Sequence, residues 1–164
     1  MLKEQLQKEM VEALKAGDQL KRLVLGSLMT AVKNKELAKR GQIGKITNDQ
    51  RELEQKSQLG TNEILEVIAT EVKKRKDSIE QFNAGGRKDL ADKEKAEMEI
   101  LIAYLPEQLS EEEVKNEVQR VIEELGGVIG PKEMGKVIGA AMGKLKGRAD
   151  GTLISKMAKE LLSE

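Results

Sequence analysis

Apolar residues recur at three- and four-residue intervals along almost the whole chain, from Leu2, Leu6, Met10, Ala13 and Leu14 at one end to Leu153, Ile154, Met157, Leu161 and Leu162 at the other. That spacing gathers them on one face of a helix, and no stretch alternates β-branched and polar residues for long enough to make a strand. A chain patterned in this way can close a core only by packing helix on helix, so the expected class is all-α. Tyr104 and Phe82 are the only aromatic residues, which leaves aliphatic side chains to fill that core.

Turn-forming residues divide the pattern. Gly17 stops the first helix and Asp18 is placed to cap the second, which carries Leu20, Leu23, Val24, Leu28, Ala31 and Val32 inward and runs out near Arg40, at the breakers Gly41 and Gly44. In "ITNDQRELEQKSQLG" Thr47 and Gln50 have capping-box spacing and Gly60 stands as terminator. With Leu53 and Leu59 as almost its only apolar residues, this predicts a surface helix contributing little core. Ile64, Leu65, Ile68, Val72, Ile79 and Phe82 mark the next helix. After "NAGGR" another carries Leu90, Ala96, Ile100, Leu101, Tyr104 and Leu105. The basic run "KKRK" at 73–76 goes round most of a turn and is expected to be a solvated face.

The sharpest boundary is "YLPEQLSEEE". Pro106 cannot continue a helix, and it pushes Leu105 out of the α region. Ser110 then has Glu113 at the capping-box position, with Leu109 and Val114 where a hydrophobic staple needs them. The chain therefore divides into an N-terminal helical bundle over 1–105 and a three-helix domain over 106–164. The first helix of that domain carries Val114, Val118, Val121, Ile122 and Leu125 and stops at Gly126 and Gly127. Pro131 is placed to open the second, whose apolar set is Met134, Val137, Ile138, Ala141, Met142 and Leu145, and Asp150 to cap the third.

Much chemistry is excluded. The chain has no cysteine and no histidine, hence no disulfide, thiolate or imidazole. No nucleophile elbow, phosphate loop or metal-ligand spacing occurs, so no catalytic residue, metal or cofactor is expected, and an enzyme acting alone is the weaker hypothesis. Glu111, Glu112 and Glu113 are accounted for as charges on the positive end of a helix. The longest apolar run, "ILIAYL", is far too short for a membrane span, and the first ten residues lack the apolar core of a signal peptide. The expectation is a cytoplasmic protein without a membrane partner.

The formal net charge of zero hides a segregation. From Gly126 through Lys159 seven basic residues stand against two acidic ones, whereas from Glu107 through Leu125 seven glutamates stand against Lys115 and Arg120. Within the basic part, Gly135, Gly139, Gly143, Gly147 and Gly151 fall four apart in "GKVIGAAMGKLKGRADG". A glycine inside a helix costs about 0.5–1 kcal/mol relative to alanine, so the repeat calls for an explanation. At 100° per residue Gly135, Gly139 and Gly143 turn away from the apolar set, beside Lys132 and Lys136, and Lys144, Lys146 and Arg148 extend the surface. Bare backbone between cations suits a sugar-phosphate strand, which needs positive charge and close approach. The plainer alternative stands beside it: Gly143 and Gly147 end the helix, Gly151 permits a turn, and the lysines are solvated.

Two long stretches, "KKRKDSIEQFNAGGRKDLADKEKAEMEILIAYLPEQLSEEEV" and "MGKVIGAAMGKLKGRADGTLISKMAKELL", resemble the YqeY family of small bacterial proteins over nearly the whole chain. The resemblance implies an N-terminal helical bundle followed by a three-helix domain similar to the tail domain of GatB, a component of the glutamine-dependent aspartyl/glutamyl-tRNA amidotransferase. That tail helps to hold tRNA while other domains do the chemistry, and a related module is fused to some glutaminyl-tRNA synthetases. The implied role is a non-catalytic tRNA-binding module, with no DNA partner, centred on Lys132, Gly135, Lys136, Gly139, Gly143, Lys144, Lys146, Gly147 and Arg148. By position the resemblance also carries over Asp150. Carbon–nitrogen ligase activity with glutamine as amido donor would follow by kinship alone, since no amidase, kinase or synthetase domain is present in this sequence. The alternative is an adaptor that docks an amidotransferase or aminoacyl-tRNA synthetase without touching RNA. "GQIGKITNDQRELEQKSQLG" is longer than the family pattern.

Overall fold

The computed structural model describes residues 2–127, 130 and 133–163, and among these every regular element is a helix. In chain order they are α1 (Leu2–Ala16), α2 (Gln19–Ile43), α3 (Gln50–Ser57), α4 (Thr61–Ala84), α5 (Lys88–Ile102), α6 (Glu111–Glu124), α7 (Met134–Lys144) and α8 (Gly151–Ser163). The chain divides into two compact units, Met1–Tyr104 and Leu105–Glu164. The place expected for Pro131 at a helix start lies outside the described residues.

In the first unit α1 pairs with α2, and α2 also meets α3, α4 and α5, while α4 and α5 form the most extensive pair. Leu6, Val24, Leu25, Leu28, Val32, Ile64, Ile68 and Leu101 are buried at its centre. Gly17 ends α1 at φ +74°, in the left-handed region, and the following amide of Asp18 donates to the Ala13 carbonyl. Asp18 then caps α2 by accepting from the Lys21 amide at 2.9 Å. One residue thus closes a helix and the next opens another.

Several expectations are corrected. Leu14 and Leu23 keep helical spacing yet stand out in solvent, Leu23 at 66% exposure, because the neighbouring helices cover only the centre of each apolar stripe. Leu25, off the expected stripe, is fully buried instead. Helix α2 passes through Gly41 to Ile43, the cost of one glycine being small in a helix of 25 residues. The cap of α3 is Asp49, which accepts from the amides of Arg51 and Glu52; Thr47 accepts from the Asp49 amide and hydrogen-bonds the Glu52 side chain instead. A carboxylate gains more than a hydroxyl or an amide at the positive helix end. Gly60 is the N-cap of α4 rather than the terminator of α3. Helix α5 stops at Ile102, three residues before Leu105. Within "KKRK", Arg75 is buried rather than solvated, reaching Glu71 on its own helix at 3.4 Å and Glu97 on α5 at 3.2 Å.

The end of α5 is tied back to the start of the chain. Glu9 Oε2 accepts from Lys21 Nζ at 2.8 Å and from the Tyr104 hydroxyl at 2.6 Å. The Lys21 bond first, and then the Tyr104 bond, hold the Glu9 carboxyl down at about 2. Burial, and after it Glu9, pushes the Tyr104 hydroxyl well above the ordinary tyrosine range. Because the folded value for Glu9 lies below the unfolded one, its contribution is complete above about pH 4.5 and is lost as pH falls through about 2. Acid unfolding followed by circular dichroism is expected to begin at higher pH for wild type than the charge-free core would require. Glu9→Gln is expected to flatten that part of the curve; an unchanged acid limb would show that the tie contributes nothing.

The second unit is a three-helix cluster in which α6, α7 and α8 all touch one another. Ser110 and Glu113 form the expected capping box: the Glu113 amide donates to Ser110 Oγ, and Glu113 Oε2 accepts from the Ser110 amide. Leu109 packs against the same core as Val114, as a staple should. Val114, Val118, Val121 and Ile122 meet Val137, Ala141 and Leu145 of the α7 segment and Ile154, Met157 and Ala158 of α8. Leu125, expected on the α6 stripe, is 46% exposed because it stands one residue past the helix, where the chain turns through Gly126 and Gly127.

Candidate nucleic-acid interface

Helix α7 buries Val137 and Ala141, and Leu145 just beyond its end, along one side. Gly139 lies two residues from Val137, about 200° round the helix, so it faces away from the core. Gly135, Gly139 and Gly143 are all exposed, and a Cβ added at any of them would meet nothing within 4 Å. No neighbour among the described residues requires these glycines to be small. None has a positive φ, so no backbone strain requires them either.

Gly147 is different. Its φ of +76° needs glycine, and its Cβ position lies 3.7 Å from Pro106. Around it the 147–148 segment is stitched to the residues that open the unit. Gln108 Nε2 donates to the Gly147 carbonyl at 2.6 Å, and the Leu109 amide donates to the Arg148 carbonyl at 2.8 Å. Gly151 is constrained by contact, since a Cβ there would sit 3.1 Å from the Met142 methyl. Asp150 caps α8, accepting from the Thr152 amide at 2.7 Å.

The cations do not form one free cluster. Lys132 lies outside the described residues. Lys136 is exposed on the glycine side of α7, 3.8 Å from Glu133. Lys144 points to the flank nearest α6, where both carboxylate oxygens of Glu124 accept from its ammonium group. Lys146 and Arg148 are exposed in the turn before α8, and the charge of Arg148 lies close enough to Glu113 to help hold that carboxyl below its usual range, after the Ser110 bonds. On α8, Lys156 meets Glu111 at 2.9 Å, and Glu111 raises the Lys156 ammonium above its ordinary value.

Sequence reasoning missed these acidic partners. The segregation of glutamates into α6 and lysines into α7 and α8 was visible, and its second meaning is that the helices neutralise one another in part. Such exposed pairs contribute little to stability. Among the described residues no group of acidic side chains is arranged to hold a metal ion, and no helix is long and apolar enough to cross a membrane.

A family profile described as "Yqey-like protein" matches residues 3–162. The chain belongs to the YqeY family. Its relatives include the protein named "Altered inheritance of mitochondria protein 41, mitochondrial" of Saccharomyces cerevisiae (strain YJM789), 31% identical over 137 residues, which are 82% of this chain and 63% of the yeast protein. The protein of the same name in Candida glabrata is 31% identical over 102 residues, 62% of this chain and 48% of that one. The Pyrenophora tritici-repentis protein is 33% identical over 99 residues, 58% and 54% of the two chains. This YqeY-family chain thus spans less than two thirds of these relatives' length. Their names also overturn the expectation of a cytoplasmic protein, because they are mitochondrial proteins with the same domain. Short apolar runs speak only to membrane spanning; compartment is not written in a helical domain's composition.

Proposed function

We propose that this YqeY-family chain is a non-catalytic tRNA-binding module related to the tRNA-dependent amidotransferases, with the outer face of α7 receiving the sugar-phosphate backbone. The observation that carries the reading is the set of three exposed helix glycines with open space around them and no part in the core. Each weakens α7 in the free protein, so a bound partner that needs close approach to the backbone gives them a purpose. Lys136, Lys144, Lys146 and Arg148 supply the charge, and the resemblance of this segment to the amidotransferase tail supplies the class of RNA. Kinship to a carbon–nitrogen ligase brings no activity with it on this reading.

A protein-docking adaptor is the second reading, favoured by Met142 and Leu125, which are 40% and 46% exposed in the same unit. Salt separates the two. Phosphate contacts release counterions, each adding about 0.7–0.9 to the slope of log affinity against log salt, whereas apolar docking is nearly insensitive.

Gly139→Leu tests the proposal. With nothing near the added side chain, leucine is expected to stabilise the helix by about 0.5–1 kcal/mol while weakening the binding of total tRNA by its bulk. Titrations at two salt concentrations beside thermal melts would show the two effects in opposite directions. Higher stability with unchanged tRNA affinity would leave the glycines as helix punctuation and the adaptor in front.

A further inference from the structure

Glu124 occupies an unfavourable place. It is the last residue of α6, where the outward carbonyls of the helix end repel a carboxylate, and Arg120, one turn before it on α6, is paired to Glu117 instead. Its partner Lys144, twenty residues on, is the last residue of α7, where the same effect favours a cation. The pair joins two helices already held by the core of Val121, Ile122, Val137 and Ala141, so it is not needed to bring them together.

We infer that Glu124 is a specificity-determining residue of the α7 face, holding Lys144 in the free protein so that the face admits a strand of several phosphates and turns away an isolated anion. The inference rests on the RNA-binding reading. A tethered carboxylate competes for Lys144 at an effective concentration in the millimolar range or above, which a small free anion below that level does not overcome. A strand already held by Lys136, Lys146 and Arg148 is itself tethered and competes on equal terms. Once displaced, Glu124 remains beside the phosphate as a like charge and lowers the affinity of every anion on that flank.

The test is Glu124→Gln in the full chain, titrated with total tRNA and separately with inorganic phosphate. Its control is Glu117→Gln, which removes the same charge from a glutamate paired to Arg120 on α6. Glu124→Gln is expected to tighten tRNA binding about three- to tenfold at low salt and to gain inorganic phosphate binding that the wild type lacks, while Glu117→Gln stays within about twofold. Adding Lys144→Gln to Glu124→Gln should cancel the gain, since the effect runs through that lysine. If the wild type binds tRNA and Glu124→Gln binds it no more tightly, the inference falls and the RNA reading stands. If neither protein binds tRNA at low salt, both fall together.

Discussion

Replacing Lys136, Lys144, Lys146 and Arg148 together by glutamine is expected to remove most tRNA binding while leaving the helices intact. Four lost phosphate contacts correspond to a fall of roughly 3 in the salt slope, which at low salt amounts to an affinity loss on the order of a hundredfold or more. The pairs of Lys136 with Glu133 and of Lys144 with Glu124 are exposed, so their loss should leave the fold intact. Filter binding across a salt series, beside a circular dichroism melt of the same sample, reads both quantities. A variant that melts like wild type and keeps both its tRNA affinity and its salt slope would remove α7 from the binding surface.

The other large effect is on stability. Leu145 is 1% exposed and sits at the end of α7, where its amide donates to the Ala141 carbonyl and its own carbonyl accepts from the amides of Arg148 and Ala149. Leu145→Ala keeps those backbone bonds and opens a cavity among Val121, Ile154 and their neighbours, at a cost of about 2–5 kcal/mol. A unit of sixty residues is stable by roughly 3–9 kcal/mol, so the loss takes a large part of the whole. Hydrogen exchange of the α6 and α8 amides should show protection falling by that amount, with Leu125→Ala as the exposed control, expected within about 0.5 kcal/mol. Protection that drops by less than about 1 kcal/mol would mean that the core repacks around the missing side chain.

How far the sequence could be read depended on whether the deciding contact was local. Helix α6 was legible up to its last turn, where Leu125 was misplaced, because its cap, staple and stripe lie within the helix or just before it: Ser110 with Glu113, Leu109 with Val114, then Val118, Val121 and Ile122. The outward turn of Gly135, Gly139 and Gly143 followed from helix geometry alone and is where the structure has it. Burial at the edge of a stripe was not legible. Leu23 and Leu25 are both apolar, and only the placement of neighbouring helices decides that one is in solvent and the other in the core. Arg75 was hidden for a similar reason, since its acid Glu97 is twenty-two residues away on α5. The pairing of Lys144 with Glu124 is of the same kind. Charge runs announce that complementary surfaces exist, but not which carboxylate finds which ammonium group.

The tie between Tyr104 and Glu9 makes the molecule report on itself. The chain has one tyrosine and no tryptophan, so its near-ultraviolet absorbance comes almost wholly from the ring whose hydroxyl donates to Glu9. The core of α6, the α7 segment and α8 contains no aromatic residue and is silent at those wavelengths. A change in the tyrosine band therefore registers the N-terminal unit where α1, α2 and the end of α5 meet, whereas events at the glycine face of α7 must be followed by a label or by the RNA itself.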